Sequence, residues 1–299
     1  MRRLLPLLIL FVIIACESTP EPPATGKLEL IGNWSPERLS RRDVWVWTPP
    51  NYDTAQTYPV IIMHDGQMLF DSTSTWNGQE WQVDETMNRL IADGEIRPAI
   101  IVAVANGDKY RRTDYLPTKV VDALPEAFRD TLLEVELENR SRADDYVRFM
   151  ISELKPFIQG NYSVSEQPSD YFVMGSSMGG LISLYTVTQF PEHFGGAACM
   201  STHWPGSLVF NDGVIPEAMF EYLSGHMPNP NACKLYFDHG TVGLDSLYRP
   251  YQAKMDSIAL AYGYTGNQYR TIVFDGAEHS ERAWAARLHA PLKFLLGKP

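Results

Sequence analysis

The sequence predicts a single α/β domain built on a doubly wound, mainly parallel β-sheet. Continuous apolar runs at residues 58–63 and 100–105 are typical of strands that are covered on both faces. Stretches with helical periodicity alternate with such runs, an order that favours parallel strands joined by helices. About 270 residues remain after the first 26, a length that suits one large domain better than two. Residues 27–299 are therefore expected to form the domain.

The expected elements follow one another in a regular order. An edge strand is expected within residues 27–39, and residues 42–48 alternate apolar and polar side chains as a second strand does. Further strands are predicted at residues 58–63, 100–105, 170–174, 196–200, 234–238 and 269–274, and helices at 81–91, 142–159, 178–189, 216–224, 251–262 and 280–296. Residues 108–138, rich in Arg, Tyr, Pro and acidic side chains, are expected to be irregular and to cover the functional side of the sheet.

The N-terminus has the features of a targeting segment. Arg2 and Arg3 precede an apolar core at residues 4–14, which is too short to span a bilayer permanently. Residues 13–16 resemble the lipobox of bacterial lipoproteins, in which the signal is cleaved before a cysteine that carries lipid. The resemblance implies a signal peptide at residues 1–15, a lipidated Cys16 with a Pro-rich tether through residue 26, and export to the cell envelope. The alternative is an ordinary secretory signal that contains a cysteine.

Composition argues against one class of partner. The chain has 25 basic and 36 acidic side chains and a formal charge of −11, which becomes −13 without Arg2 and Arg3. Since phosphate contacts dominate nucleic-acid affinity, an acidic chain without a basic cluster is not expected to bind nucleic acid.

Cys199 and Cys233 lie in apolar runs, where an exported protein could form a disulfide but buried thiols are commoner. The sequence has neither a CxxC motif nor the spacing typical of zinc sites, and no cofactor is expected.

A Gly-x-Ser-x-Gly motif follows the strand predicted at residues 170–174. Gly175 and Gly179 flank Ser177, and an apolar helix is predicted to follow directly. In this context a tight strand-to-helix turn exposes one hydroxyl above the sheet, and the helix N-terminus favours a developing negative charge. Glycine is needed where the backbone passes close to itself. Ser177 is therefore the candidate nucleophile.

Serine needs an adjacent base, and two later loops follow strands in the order acid, then histidine. Residues 239–245 end in Asp245, and residues 275–280, after the last predicted strand, contain His279. Because such groups gather at the carboxyl ends of parallel strands, Ser177, Asp245 and His279 are expected to converge as a catalytic triad. His279 would transfer the proton and Asp245 would fix the imidazole tautomer. Asp238, at the end of its strand, is an alternative to Asp245.

Two backbone N–H groups are expected to bind the oxyanion of a tetrahedral intermediate. One belongs to Met178, immediately after the nucleophile. The other comes from the loop after the strand at residues 58–63, where Gln67 is preferred and Gly66 is the alternative. His64 and Asp65, in the same loop, are interpreted as residues that shape the turn through local hydrogen bonds.

Loop side chains near the expected site are candidates for substrate contacts: Trp76, Arg111, Tyr115, His203 and Trp204. Aromatic rings there could stack on a sugar or a phenolic acyl group, and an arginine could bind a carboxylate. The alternative is that the aromatic side chains pack the loops and that the arginines pair with nearby acids such as Asp108 and Asp114.

Several motifs together resemble the esterase family of α/β-hydrolases that includes esterase D and the enterochelin esterases. They extend over nearly all of the chain from residue 58 onward, at residues 58–71, 76, 83–85, 175–180, 240–245 and 276–279. The resemblance implies an α/β-hydrolase fold and ester hydrolysis by a serine triad without a metal. It carries over to Ser177, Asp245 and His279, and suggests backbone roles for Gln67 and Met178. Because the family also contains feruloyl and acetylxylan esterases, thioester hydrolases and mycolyltransferases, the acyl group stays open.

These features predict a lipid-anchored serine esterase of the cell envelope, bound to the membrane through Cys16, that acts on acylated glycans or other small-molecule esters. An acyltransferase with the same triad, in which a sugar hydroxyl replaces water, is the near alternative. A surface binding protein on a hydrolase scaffold that has lost its activity is the alternative from another class. The intact set of Ser177, Asp245 and His279 argues against that last alternative.

Overall fold

The computed structural model describes residues 25–210 and 212–298. Its strands are β1 (Lys27–Trp34), β2 (Arg42–Thr48), β3 (Val60–His64), β4 (Ile100–Val104), β5 (Tyr171–Ser176), β6 (Gly196–Met200), β7 (Lys234–Gly240) and β8 (Tyr269–Phe274). They form one eight-stranded sheet in the order β1-β2-β4-β3-β5-β6-β7-β8. β2 pairs antiparallel with β1 and with β4, and the other pairs are parallel. The predicted doubly wound, mainly parallel α/β sheet is confirmed.

Helices cover both faces of this sheet. They are α1 (Val83–Ala92), α2 (Arg111–Tyr115), α3 (Thr118–Ala123), α4 (Glu126–Glu136), α5 (Ala143–Phe149), α6 (Lys155–Asn161), α7 (Met178–Gln189), α8 (Val214–His226), α9 (Arg249–Ala261), α10 (Glu281–Arg287) and α11 (His289–Leu296). In β3, Val60 and Ile62 contribute to one hydrophobic core, whereas Ile61 and Met63 contribute to the other. A strand buried on both faces has no polar alternation, which explains its continuous apolar sequence.

Residues 108–138 are mainly helical, contrary to the expectation from their composition. Three helices, α2 to α4, lie in this segment. Pro117 and Pro125 directly precede α3 and α4. Proline is compatible with a helix start because the first N–H groups of a helix have no intrahelical acceptor. The prolines that suggested a loop instead mark the starts of helices.

Two of the predicted helices are each divided in the structure. Residues 142–159 form α5 and α6, which are joined by a π-helical stretch at Met150–Leu154. Pro156 is the second residue of α6, where its ring crowds the preceding turn and its nitrogen donates no hydrogen bond. Residues 280–296 form α10 and α11, which are separated at Leu288.

The predictions for the signal peptide at residues 1–15 and for Cys16 lie outside the described residues. Within the described part, no helix is long and apolar enough to cross a membrane. Cys199 and Cys233 are buried, and neither forms a disulfide. Burial raises the pKa of both thiols, that of Cys233 to about 12.

Candidate active site

Ser177 lies at the turn between β5 and α7 in a strained backbone conformation. Its φ of 58° and ψ of −122° fall in a region that non-glycine residues rarely adopt. The chain turns so tightly that a Cβ on Gly175 would lie 2.8 Å from the carbonyl carbon of Gly179. The Ser177 N–H donates to the carbonyl of Met200 at 2.9 Å. The turn therefore holds the half-buried Ser177 at the carboxyl end of the sheet.

The loops after β7 and β8 are joined by a close backbone contact. The Thr241 N–H donates to the carbonyl of Ala277 at 3.0 Å. A Cβ on Gly240 would lie 2.1 Å from that carbonyl oxygen, so only glycine permits the approach. The contact brings Asp245 beside His279, whose Nδ1 lies 2.6 Å from Asp245 Oδ1.

Asp245 is fully buried, and its Oδ2 accepts two short hydrogen bonds. The Ser201 hydroxyl and the Gly240 N–H each donate to Oδ2 at 2.6 Å. Burial acts to raise the pKa of Asp245, but the hydrogen bonds from His279, Ser201 and Gly240 outweigh burial and hold the pKa below its usual value. An ionised Asp245 accepts the Nδ1–H of the imidazole and leaves Nε2 free to face a nucleophile.

Asp238, the alternative acid, has other partners. Arg287 Nε donates to Asp238 Oδ1 at 3.1 Å, and the Tyr236 hydroxyl donates to Oδ2 at 3.0 Å. Within the described residues, the hydrogen-bond partner of the His279 ring is Asp245. Of the two acids, the structure brings Asp245 to the imidazole.

Ser177 and His279 line one cleft of about 590 Å³. The Ser177 hydroxyl and the imidazole do not form a hydrogen bond within 3.5 Å in the described part of the chain. Hydrogen bonds of this kind commonly tighten only when a substrate binds. The two groups therefore share a site, because both line the same cleft.

Both predicted oxyanion donors lie at this site. Met178 is the first residue of α7, so its N–H has no intrahelical acceptor. Gln67 is in the middle of a 3₁₀ turn at Gly66–Met68 and lines the cleft. The hydrogen bonds of this turn leave the Gln67 N–H without a backbone acceptor among the described residues. Both N–H groups are therefore available to an oxyanion.

Asp65 and Arg111 form a bidentate ion pair in the cleft wall. Arg111 Nε and Nη2 donate to Asp65 Oδ1 and Oδ2 at 2.6 and 2.7 Å, and the Asn106 amide donates to Oδ1 at 2.8 Å. Burial acts to raise the pKa of Asp65, but the charge of Arg111 and these hydrogen bonds outweigh it, so the pKa lies below its usual value. Asn106 also donates its N–H to the Gln67 side chain at 3.2 Å. The pair therefore fixes the loop that carries Gln67.

The five residues predicted to contact substrate fall into two groups. Trp76 and Arg111 line the cleft, and Trp76 is 84% exposed. Tyr115, His203 and Trp204 are buried and do not line it, which contradicts the expectation that they lie at the mouth of the site. The alternative, that loop aromatics serve packing, fits these three residues.

The three buried residues each have a structural partner. The Trp204 ring stacks on Phe220 with ring centroids 5.2 Å apart. The Tyr115 hydroxyl accepts a hydrogen bond from the Asp65 N–H at 3.3 Å. His203 Nδ1 lies 2.9 Å from the Tyr248 hydroxyl. These contacts account for the burial of the three side chains away from the cleft lining.

Sequence reasoning missed part of the cleft wall. Asn77 Nδ2 donates to Glu281 Oε2 at 2.8 Å and thereby ties the loop before α1 to the start of α10. The Trp284 ring packs edge-on against His279, with ring centroids 4.9 Å apart. The useful signal was that a helix begins directly after the loop that carries His279. Among the described residues, no cluster of three or more His, Cys, Asp or Glu side chains could hold a metal ion.

Acid should destabilise the fold through two buried histidines. Burial lowers the pKa of His64 to about 4 and that of His203 to about 3, both from 6.5. As the pH falls below 6.5, the unfolded chain therefore takes up protons that the folded chain does not. We expect each histidine to reduce the free energy of unfolding by about 2 kcal/mol between pH 7 and pH 5.

Urea unfolding at the two pH values measures this loss. In the variant His64→Gln, the difference between the two pH values should shrink by about 2 kcal/mol, whatever the variant does to stability at pH 7. A pH difference equal to that of the wild type would contradict the assignment of the loss to His64.

The comparisons with known proteins identify the family to which the chain belongs. The protein is an α/β-hydrolase by fold, and the model of a family described as "Putative esterase" matches residues 35–295. The match covers most of the chain, so the chain belongs to this esterase family.

Individual relatives are more distant. The iron(III) enterobactin esterase of Escherichia coli K12 is 27% identical over 207 residues, which are 68% of this chain and 42% of that protein. The chain thus spans about two fifths of the length of the curated enterobactin esterases that it matches. A solved ferulic acid esterase has a TM-score of 0.66 at 19% identity, over 91% of this chain and 98% of its own. The enterobactin esterase of Shigella flexneri has a TM-score of 0.64 at 21% identity, over 94% of this chain and 61% of its own.

Proposed function

We propose that the protein is a serine carboxylic-ester hydrolase that uses Ser177, His279 and Asp245 as a catalytic triad. The observation that carries this proposal is the 2.6 Å contact between His279 Nδ1 and the buried Asp245, beside the cleft that also contains the strained Ser177 turn. A buried, ionised carboxylate favours the tautomer in which Nε2 accepts a proton. Family membership supports ester hydrolysis as the reaction.

The triad divides hydrolysis into two half-reactions. His279 Nε2 takes the proton of the Ser177 hydroxyl while Oγ forms a bond to the ester carbonyl carbon. The tetrahedral intermediate then loses the alcohol, which takes the proton from His279 as its C–O bond breaks. Water, deprotonated by the same imidazole, attacks the acyl-Ser177 ester, and the acid leaves as Oγ is reprotonated. Asp245 stays ionised and stabilises each imidazolium.

The Met178 and Gln67 N–H groups are the proposed oxyanion donors, and Gln67 allows a matched test. Gln67→Pro deletes the N–H, whereas Gln67→Ala keeps it and removes only the side chain that accepts from Asn106. We expect Gln67→Pro to lower kcat by about 10²- to 10³-fold and Gln67→Ala to lower it by less than about 10-fold. Steady-state hydrolysis of p-nitrophenyl acetate measures both. Equal losses in the two variants would contradict a role for the backbone donor.

As substrates we propose acylated glycans or other small polar esters. Four amide side chains, of Gln67, Asn77, Gln79 and Asn106, line the cleft together with the exposed Trp76. Amides can bind hydroxyl groups, and an indole ring offers a flat apolar surface to a sugar. Because Asp65 neutralises Arg111, a substrate carboxylate gains little from that arginine.

Product analysis tests the reaction. From p-nitrophenyl acetate and from an acetylated xylo-oligosaccharide, we expect free acetate and free alcohol in equal amounts, also when a sugar acceptor is added. An acylated acceptor in place of free acetate would identify a transferase. A folded protein that turned over neither these esters nor longer acyl and feruloyl esters would favour a binding function.

We also propose export and lipid anchoring through Cys16, which lies outside the described residues. Support comes from Arg2 and Arg3, the apolar core at residues 4–14 and the cysteine that ends it. In cells that express the full chain, the wild type should fractionate with membranes and Cys16→Ser should not. An identical distribution of the two proteins would contradict the anchor.

A further inference from the structure

Ser201, which directly follows β6, is a buried residue that the proposed triad does not use. Its side chain is 0% exposed, and its φ of 41° is in the left-handed region that non-glycine residues rarely adopt. Its N–H donates to the carbonyl of Asp238 at 2.8 Å. Serine is therefore kept here in a strained, fully buried position, where its hydroxyl must have hydrogen-bond partners.

The direction of hydrogen bonding at the Ser201 hydroxyl is fixed by its neighbours. Trp284 Nε1 and Arg287 Nη2 lie 3.0 and 2.6 Å from Ser201 Oγ, and both groups can only donate. The oxygen therefore accepts twice, and its one proton must point to Asp245 Oδ2, at 2.6 Å. Donors that polarise a hydroxyl strengthen the hydrogen bond that it gives.

Arg287 supplies a buried positive charge to the same cluster. It is 2% exposed, and its Nη2 is 3.5 Å from Asp245 Oδ2, while its Nε donates to Asp238 Oδ1 at 3.1 Å. The guanidinium thus lies between two carboxylates, one structural and one in the proposed triad. The Ser201 hydroxyl bridges the guanidinium to the second of them.

We infer that Ser201 is a positioning residue for Asp245, since it passes the hydrogen bonds of Arg287 and Trp284 on to Oδ2 and so keeps Oδ1 turned toward His279. The inference rests on the proposed esterase function. It adds to the triad a fourth side chain that touches neither the substrate nor the reacting atoms. Trp284 connects Ser201 with His279, because its Nε1–H donates to Ser201 Oγ and its ring packs against the imidazole.

Loss of the hydroxyl should alter the pH dependence of the reaction. The hydrogen bond from Ser201 helps to keep the pKa of Asp245 low, so without it Asp245 becomes a stronger proton acceptor and holds the imidazolium of His279 more tightly. The acid limb of the kcat profile should then move to higher pH. The other titratable or charged groups that face this pair are His203, Asp238, Tyr248 and Arg287, and the variant keeps all four.

Ser201→Gly is the variant that tests the inference. It deletes the hydroxyl and relieves the positive φ, so the backbone is not strained further. Thr186→Val is the matched control, because it deletes another fully buried hydroxyl, one that donates to the carbonyl of Ile182 in α7. Three readouts are compared on p-nitrophenyl acetate and by proton NMR: the separate kcat and KM values, the pH profile of kcat, and the far-downfield resonance of the His279 Nδ1 proton.

We expect Ser201→Gly to lower kcat by about 10- to 100-fold with KM within about 2-fold, to move the acid limb upward by about half a pH unit, and to shift the Nδ1 proton resonance. Thr186→Val should change none of the three. A kcat profile and a proton resonance like those of the wild type would overturn the inference, as would a loss of kcat that left both the acid limb and the resonance unchanged. Either result, with Ser177→Ala inactive, would leave the proposed triad standing.

Discussion

Ser177→Ala should lower kcat for p-nitrophenyl acetate by about 10⁵-fold or more and leave the fold intact. Without the hydroxyl no acyl-enzyme can form, and water must attack the ester directly, with only the oxyanion donors to assist. Alanine retains the backbone conformation of the turn, and the Ser177 N–H to the Met200 carbonyl is unaffected. The free energy of unfolding should therefore change by less than about 1 kcal/mol.

Ser176→Ala is the matched control for this prediction. Ser176 is the last residue of β5 and also lines the cleft, but it precedes the turn that strains Ser177. It should retain kcat within about 10-fold, since its hydroxyl has no part in the proposed chemistry. Loss of activity in Ser176→Ala together with retention in Ser177→Ala would overturn the choice of nucleophile.

Asp245→Asn should lower kcat by about 10⁴-fold, or about 5 kcal/mol in activation free energy. The Ser201 hydroxyl and the Gly240 N–H both donate to Asp245 Oδ2. In the variant, the amide oxygen of asparagine must therefore take the position of Oδ2, because only the oxygen can accept these hydrogen bonds. Its NH₂ group then faces His279 Nδ1, which must become an acceptor. The ring proton moves to Nε2, where the imidazole can no longer take the proton of Ser177.

Asp238→Asn is the control for this second prediction. Asp238 is as deeply buried as Asp245, but its partners are Arg287 and Tyr236. This variant should be less stable, because it replaces one of the two carboxylates beside the buried Arg287 with a neutral amide, yet folded protein should keep kcat within about 10-fold. Steady-state kinetics normalised to folded protein distinguish the two variants. A larger loss of kcat in Asp238→Asn than in Asp245→Asn would instead assign Asp238 to the triad.

The sequence was most informative where the chemistry of the fold leaves few choices. The apolar runs at residues 58–63 and 100–105 have no polar alternation, so they predicted strands buried on both faces, and β3 and β4 lie there. The order of loops after parallel strands predicted which acid and which histidine to consider. The choice between Asp238 and Asp245 was open, because both belong to the same strand and the loop after it. In the structure, the close contact of Gly240 with Ala277 brings Asp245, and not Asp238, to His279.

Burial of individual loop side chains was harder to predict. His203 and Trp204 follow β6 in a loop at the carboxyl end of the sheet, as a substrate-binding residue would. Their backbone turns inward instead, and the His203 N–H donates to the Ser177 carbonyl at 3.1 Å. Local sequence does not determine whether a loop turns toward the core or toward solvent, because that depends on the elements packed against the loop. Ser201 was missed for the same reason, since nothing marks a lone serine as the partner of an aspartate 44 residues away.

Proline was the other source of error. Before α3 and α4 it marked helix starts within residues 108–138, and in α6 it coincided with a π-helical stretch that divides the predicted helix at residues 142–159. The same residue type therefore begins a helix or interrupts one, according to which backbone N–H it removes. Whether a proline interrupts the hydrogen bonds of a helix can be judged only when the neighbouring helical turns are known.

The most direct test of the proposed triad is the position of a fluorophosphonate adduct in the folded protein. An activated serine reacts with the probe, whereas ordinary serines do not. After labelling and proteolysis, mass spectrometry of the wild type should locate a single adduct on Ser177, and His279→Ala should remain unlabelled under the same conditions. An adduct on another residue, equal labelling of Ser177 in His279→Ala, or an unlabelled wild type would contradict a serine esterase built on Ser177, Asp245 and His279.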